Sequence, residues 1–367
     1  MTVLEFEARI AAPSTGPVAP PAGAHLYPPR PMSRKAPIAV ESTNVAEHPA
    51  ARAWAALGGG IPVRVELWRR ARSKPGIYRL IFAHPRRPAV FAKQSRSAAL
   101  ALELMIYQEV LSRLPGTAPL FLGTCVDRDG FTWLFVEGVG DGKPSDENLE
   151  HRVLAARWLG QFHRSAAGVE AAAQLPDAGP GRYLGHLRAG RDAIRRHFAN
   201  PGFAPEDLAL LSGVLEELDA LETRWPEIEN ACKDMPVTLV HGDLRPKNVR
   251  IRSRRLTPAF YAIDWEMAGW GVPAADLTGA CGPGPTLRVD PKTYRETLRE
   301  QWPHLDAADV CRLSVLGRVF QALAGIDWAG ASLGFDTRRY LLAPVTTMRV
   351  HQGQIAGALG EGSAWLG

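Results

Sequence analysis

Residues 239–251 read LVHGDLRPKNVRI, and residues 259–264 read AFYAID. Each is an apolar run that gives way to polar groups. Runs of Leu, Val and Ile build strands, and side chains mounted where a strand leaves the core are held in fixed positions. Asp243 could orient an attacking hydroxyl and accept its proton. Asn248 and Asp264 offer the hard oxygens that Mg²⁺ prefers, an ion that takes few ligands from protein. These are the parts that phosphoryl transfer requires, since that reaction rests on positioning and charge neutralisation. If the strand before Asp243 pairs with 259–263, Asp264 arrives at the same end as Asp243 and Asn248. The other reading of the stretch is a structural turn with Asp243 as a helix cap.

The elements that must position these groups can be read outward from them. From Ile61, IPVRVELWRRA alternates, with Val63, Val65 and Leu67 on one face. SKPG and PRRP are turns that separate it from two more strands, IYRLIFAH and AVFAKQ. SAALALELMIYQEVLSRL follows with Leu100, Leu104, Tyr107 and Leu111 at helical spacing. Residues 120–140 then read as two strands around an Asp-Arg-Asp-Gly turn. This predicts five antiparallel strands and one helix. Beyond Gly142 the texture is helical, with NLEHRVLAARWLGQFHRSAAG and PEDLALLSGVLEELDALETRW as amphipathic helices. The expected class is α+β and bilobal, with a small antiparallel-sheet lobe and a larger, mostly helical lobe. Residues 1–45 form a Pro/Ala-rich arm, partly disordered; 46–140 form the first lobe and 141–367 the second.

HGDLRPKN followed by IDWE resembles the catalytic loop and metal-binding aspartate of the aminoglycoside phosphotransferase and choline kinase superfamily, small-molecule kinases with a protein-kinase-like fold. Protein kinases share the Asp-to-Asn spacing, but here Gly242 replaces their loop arginine, DWE replaces D-F-G, and no A-P-E follows. The resemblance extends over most of residues 60–350. It implies ATP or GTP as co-substrate with Mg²⁺, Asp243 as base, and Asn248 and Asp264 as metal ligands. Lys93, on the third strand, would hold the α- and β-phosphates, with Glu103 as its partner and Glu109 on a different face. An edge-strand solubility lysine is the alternative for Lys93. Backbone groups from Val136 to Gly138 fall at the inter-lobe hinge and would bond the adenine edge. WLGQFH resembles a family helix in which Phe162 and His163 are core and support. His241 and Asp276 are expected to brace the loop.

Two features depart from the family pattern. Between the first two strands there is no Gly-rich phosphate loop, so Ser73 and main-chain N–H groups would cover the phosphates. Gly58 to Gly60 precede the first strand and are read as a flexible entry. Arg245, two residues after the proposed base, could stabilise transferring oxygens by a two-pronged contact; it could equally be a surface residue.

Composition narrows the class further. The chain has 367 residues, 46% hydrophobic, with a net charge of +5. That excess is small for its length and argues against a nucleic-acid partner. Basic knots such as Arg250 to Arg255 read as solvated turns. The four cysteines are scattered without a C-x-x-C pair, so neither a zinc site nor a disulfide framework is indicated, and a reduced, cytoplasmic setting fits. No apolar run has the ~18 residues of a membrane span. The acceptor is a small molecule with a hydroxyl: aminoglycoside, sugar, choline-like amine and amino alcohol all remain open. Trp265, Glu266, Trp270, Asp327 and Trp328 could line its site, or the tryptophans could be core. A homodimer is compatible with the sequence. The alternative function is a catalytically idle kinase fold that binds nucleotide and regulates a partner; a protein kinase is disfavoured by the missing signatures.

Overall fold

The computed structural model of the chain describes residues 38–39, 44–69, 76–96, 98–114, 116, 118–252, 258–282 and 284–362. Its first lobe is an antiparallel sheet in the order β1-β2-β3-β4-β6-β5. The strands are β1 (Ile38–Ala39), β2 (Arg64–Arg69), β3 (Gly76–Ile81), β4 (Val90–Ser95), β5 (Phe121–Val126) and β6 (Thr132–Glu137). The last five are the expected ones. The sixth, β1, comes from the arm and pairs with β2 through Ile38 and Leu67. The turn between β5 and β6 forms because Asp127 Oδ1 accepts the N–H groups of Asp129 and Phe131, at 3.0 and 2.9 Å.

The lobe has a helix that the alternation of the strands did not announce, α1 (Pro49–Ala56). It buries Ala50, Ala51, Ala53 and Trp54 against Val65, Leu80, Val90, Ala92, Trp133 and Phe135. Gly58 to Gly60 are therefore a helix stop and not a flexible entry. Gly58 takes φ +77° just past the helix, and its N–H bonds Ala55 O at 2.9 Å. With one sheet face sealed by α1, the side chains of Phe91 and Lys93, two residues apart, share the opposite face. On that face α2 (Ala98–Met105), continued by a wide turn at Ile106–Val110, supplies Leu100 and Tyr107 to the main core.

The second lobe carries α3 (Leu149–Ala166), α4 (Pro180–His197), α5 (Pro205–Thr223), α6 (Trp225–Cys232), α7 (Pro291–Leu298), α8 (Ala307–Gly330) and α9 (Arg338–Gly362). Two small ribbons lie among them: β7 (Thr238–Val240) with β10 (Gly269–Gly271), and β8 (Val249–Arg252) with β9 (Ala259–Ala262). So β9 does not pair with the strand before the polar loop; it pairs with the strand after it, Val249 opposite Ala262. α8 runs through the core, burying Leu313, Leu316, Phe320 and Leu323. The expected α+β bilobal, kinase-like class is borne out.

Two sequence readings are corrected. Cys281 and Cys311 form a disulfide, with Cα atoms 5.2 Å apart, although no spacing rule foretold it. Arg252, in the basic knot read as solvated, is mostly buried and its side chain bonds the inter-lobe segment. Among the described residues no helix is long and apolar enough to cross a membrane.

Candidate active site

The polar loop is held from below before any of its side chains can act. Asp276, fully buried, accepts the N–H groups of His241 and Gly242 at 2.7 and 2.8 Å. Its Oδ2 also lies 3.3 Å from His163 Nε2, and His163 Nδ1 lies 2.9 Å from the Tyr294 hydroxyl. His241 Nε2 donates to Ile263 O at 3.1 Å, which leaves Nδ1 to accept Asp243 N–H at 3.3 Å. Gly242 has φ +78°, and a Cβ there would stand 2.5 Å from Met267 O. Only glycine fits this crossing of two loops. Leu287 N–H bonds Leu244 O at 3.0 Å, and Gln321 Nε2 of α8 bonds Gly242 O at 2.7 Å. His163, His241 and Asp276 are thus braces for the loop.

On this frame Asp243 meets three partners. Asn248 Nδ2 bonds its Oδ2 at 2.9 Å and its carbonyl at 3.0 Å. Lys247 Nζ lies 2.7 Å from Oδ2, and Arg245 Nε lies 2.8 Å from Oδ1. The Arg245 contact is electrostatic only, because the Nε–H finds no aligned acceptor. Because Asn248 spends its amide nitrogen on Asp243, the side-chain oxygen is the atom left to bind something else.

Asp264 reaches the same place from β9. Ile263 N–H bonds Asn248 O at 2.9 Å, tying the two loops together. Asp264 has φ +70°, the one non-glycine in the left-handed region among the described residues. Such a conformation costs about 1–3 kcal/mol and persists where the surroundings enforce it. Here the enforcement is Lys93, whose Nζ bonds Asp264 Oδ1 at 2.8 Å and Glu103 Oε2 at 2.5 Å. β4 is flanked by β3 and β6, with Ile77 and Leu134 opposite Lys93, so this is not an edge lysine. Burial works to lower the Lys93 pKa, yet the two carboxylates raise it overall. Burial works to raise Asp264, but Lys93, Lys247 and His241 hold it below the ordinary range. Burial raises Glu103, and Lys93 offsets only part of that. Lys247 thus bonds Asp243 and contributes to lowering Asp264. Among the described residues no three His, Cys, Asp or Glu side chains form a cage. What the loops offer is an amide oxygen and a carboxylate, a donor set that suits Mg²⁺ bridging to phosphate.

The inter-lobe segment differs from expectation in detail. Val136 lies inside β6, opposite both Phe91 and Phe121. Gly138 donates to Ala89 O at 2.7 Å and its carbonyl accepts from Arg252 at 3.0 Å. Neither group is open to a base. The next N–H along the chain, that of Val139, has no partner among the described residues. A pocket of about 200 Å³ lies here, lined by Phe91, Gly138, Val139, Gly140, Asp141 and Arg252. Ser73 lies outside the described residues. Trp265 is wholly buried and is core, whereas Trp328 is 44% exposed. Lys247, Gln321, Arg252 and Val139 were missed by sequence reasoning. Lys247 stood within the motif and Val139 just past the segment read as the hinge; Gln321 and Arg252 had no local signal, because contact with the loop or hinge is made only by folding.

Residues 68–324 match the phosphotransferase enzyme family. No curated protein matches the sequence significantly. Among solved structures, the chain resembles a spectinomycin phosphotransferase bound to ADP and spectinomycin, with TM-score 0.58 and 11% identity over 81% of this chain and 94% of that one. It resembles a choline kinase of Cryptosporidium parvum with TM-score 0.52 and 15% identity, over 82% and 93%. A microcompartment-associated aminopropanol kinase gives TM-score 0.54 and 16% identity, over 83% and 94%. At these identities the likeness is one of fold.

Proposed function

The chain belongs to the phosphotransferase enzyme family, and from that premise we propose that it moves the γ-phosphate of ATP or GTP to the hydroxyl of a small molecule. The observation that carries this is that Asn248 and Lys247 both bond Asp243, while Asp264, next to the Ile263–Asn248 backbone bond, pairs with Lys93. In the proposed reaction the acceptor's oxygen attacks the γ-phosphorus. The bond from phosphorus to the β-phosphate oxygen breaks, and the hydroxyl proton passes to Asp243. Lys93 grips the α- and β-phosphates, kept charged and aimed by buried Glu103. Lys247, on the Asp243 oxygen shared with Asn248, would be the cation that neutralises transferring oxygens. Asn248 through its amide oxygen and Asp264 through its carboxylate would hold Mg²⁺, which supplies charge neutralisation to the phosphates when bound. The base would lie in the pocket by Phe91, against Val139 N–H. Choline, aminopropanol and spectinomycin, the names carried by the neighbouring structures, frame the size of acceptor.

The test is acceptor-dependent ADP formation by the purified protein and by Asp243→Asn. The variant should lose on the order of 10²–10⁴ in kcat while binding nucleotide as before. Retained turnover, or no nucleotide binding by either protein, contradicts the reading. It also rejects an idle nucleotide-binding regulator, which Asp243→Asn would leave unaffected.

A further inference from the structure

Two cations flank Asp243, and they face different ways. Lys247 meets Oδ2 together with Asn248. Arg245 meets Oδ1 and turns toward the helical lobe, where its Nη2 bonds Gln321 Oε1 on α8 at 3.2 Å. Gln321 is buried, and its amide nitrogen is committed to Gly242 O. The strut is therefore fixed at both ends. Nη1 has no partner among the described residues, and the side chain is 31% exposed. A guanidinium held rigidly beside the base, with Nη1 open, can donate to a carboxylate.

His351 is a further group near Arg245. His351 of α9 lies over Gly325 of α8, so closely that a Cβ on Gly325 would stand 2.1 Å from its Nε2. His351 Nδ1 bonds Gln354 Oε1 at 2.8 Å. Burial and then Arg245 lower the pKa of His351, so it presents a neutral ring. Of the carboxylates on α8 and α9, Glu361 pairs with Arg318 and Asp327 with His186 at 2.8 Å. An amine placed at Nη1 would meet like charge.

We propose that the acceptor is a small hydroxycarboxylate: Arg245 binds its carboxylate while its hydroxyl faces Asp243. This rests on the phosphotransferase reading. It also gives Arg245 a different task from the one expected at the transferring phosphate, which falls to Lys247.

The protein, with Mg²⁺ and ATP, is offered 4-hydroxybutyrate, glycerate and glycolate against ethanolamine, 3-aminopropanol and choline, with glycerol as a neutral reference. ADP formation should give a kcat/KM for at least one acid that is roughly tenfold or more above every amine. Arg245→Gln should raise KM for that acid roughly tenfold while KM for ATP and the melting temperature stay put. Arg245→Glu should move the preference toward amines. An amine preference in the unaltered protein overturns the proposal but leaves the kinase intact. An equal loss for acids, glycerol and amines in Arg245→Gln also overturns it, and returns Arg245 to the phosphoryl group. If no acceptor is consumed, the melting temperature with Mg²⁺ and a non-hydrolysable ATP analogue decides: no rise with any acid overturns the proposal. Absence of nucleotide binding overturns both readings.

Discussion

The two ends of the cleft handle charge in opposite ways. At the nucleotide end, Lys93 is 13% exposed, between Glu103 at 3% and Asp264 at 16%. At the proposed acceptor end Arg245, beside Asp243, is 31% exposed, and Lys247, on the other oxygen of that carboxylate, is 49% exposed. A buried ion pair is costly to break from one side, because the remaining charge stays desolvated. Exposed pairs contribute little and can be exchanged cheaply. The proposed nucleotide end is thus preformed by its ion pairs. At the proposed acceptor end one side chain can be exchanged without endangering the fold.

Lys93→Met should break this contrast most forcefully. It strands Glu103 and Asp264, and the expected loss is about 3–5 kcal/mol of unfolding free energy in urea, together with nucleotide binding. Lys247→Met should cost less than about 1 kcal/mol while lowering kcat. Equal destabilisation by the two would remove the distinction.

The second test concerns the acceptor end alone. The Cys281–Cys311 bridge spans 30 residues and anchors the segment after Asp276, whose later residue Leu287 bonds the catalytic loop at Leu244 O. Closing a loop of that length is worth about 3–4 kcal/mol. Reduction, or Cys281→Ser, should lower the melting temperature accordingly and leave KM for ATP unchanged. A change in KM for ATP would couple the two ends and blur the comparison.

The smallest effect is a pH dependence. The folded pKa of Asp264 lies below that of the unfolded chain, near 3.9. Its contribution is therefore present above that value and is lost as pH falls through the lower folded pKa. Urea midpoints of the unaltered protein and Asp264→Asn should differ at neutral pH and converge in acid. A gap that persists below both pKa values would show that strain at φ +70°, not charge, separates them.

What the sequence disclosed was whatever its chemistry kept local. The His-Gly-Asp to Asn run, the later Asp264, and the alternation around Lys93 all lie within short windows, and the long helices α3 and α5 show their period directly. What it hid depends on contacts between distant segments. α1 is a short Ala-rich stretch whose one strong signal was its glycine stop. Arg252 looked like part of a solvated knot, because nothing nearby shows that the hinge carbonyls will cover it. Gln321 and His351 are ordinary residues of α8 and α9 until those helices pack under the loop. β9 was assigned the wrong partner because β7, Thr238–Val240, is the more apolar candidate, whereas β8 alternates with arginine and is selected by the short loop that joins it to β9.

The central claim is that the loops at 243–248 and 264 bind one divalent cation beside a nucleotide. Electron paramagnetic resonance of Mn²⁺ with a non-hydrolysable ATP analogue tests it directly. The account predicts a bound Mn²⁺ signal that requires nucleotide, persists in Asp243→Asn, and is lost in Asp264→Asn and Asn248→Leu. Undiminished binding in Asp264→Asn would contradict it.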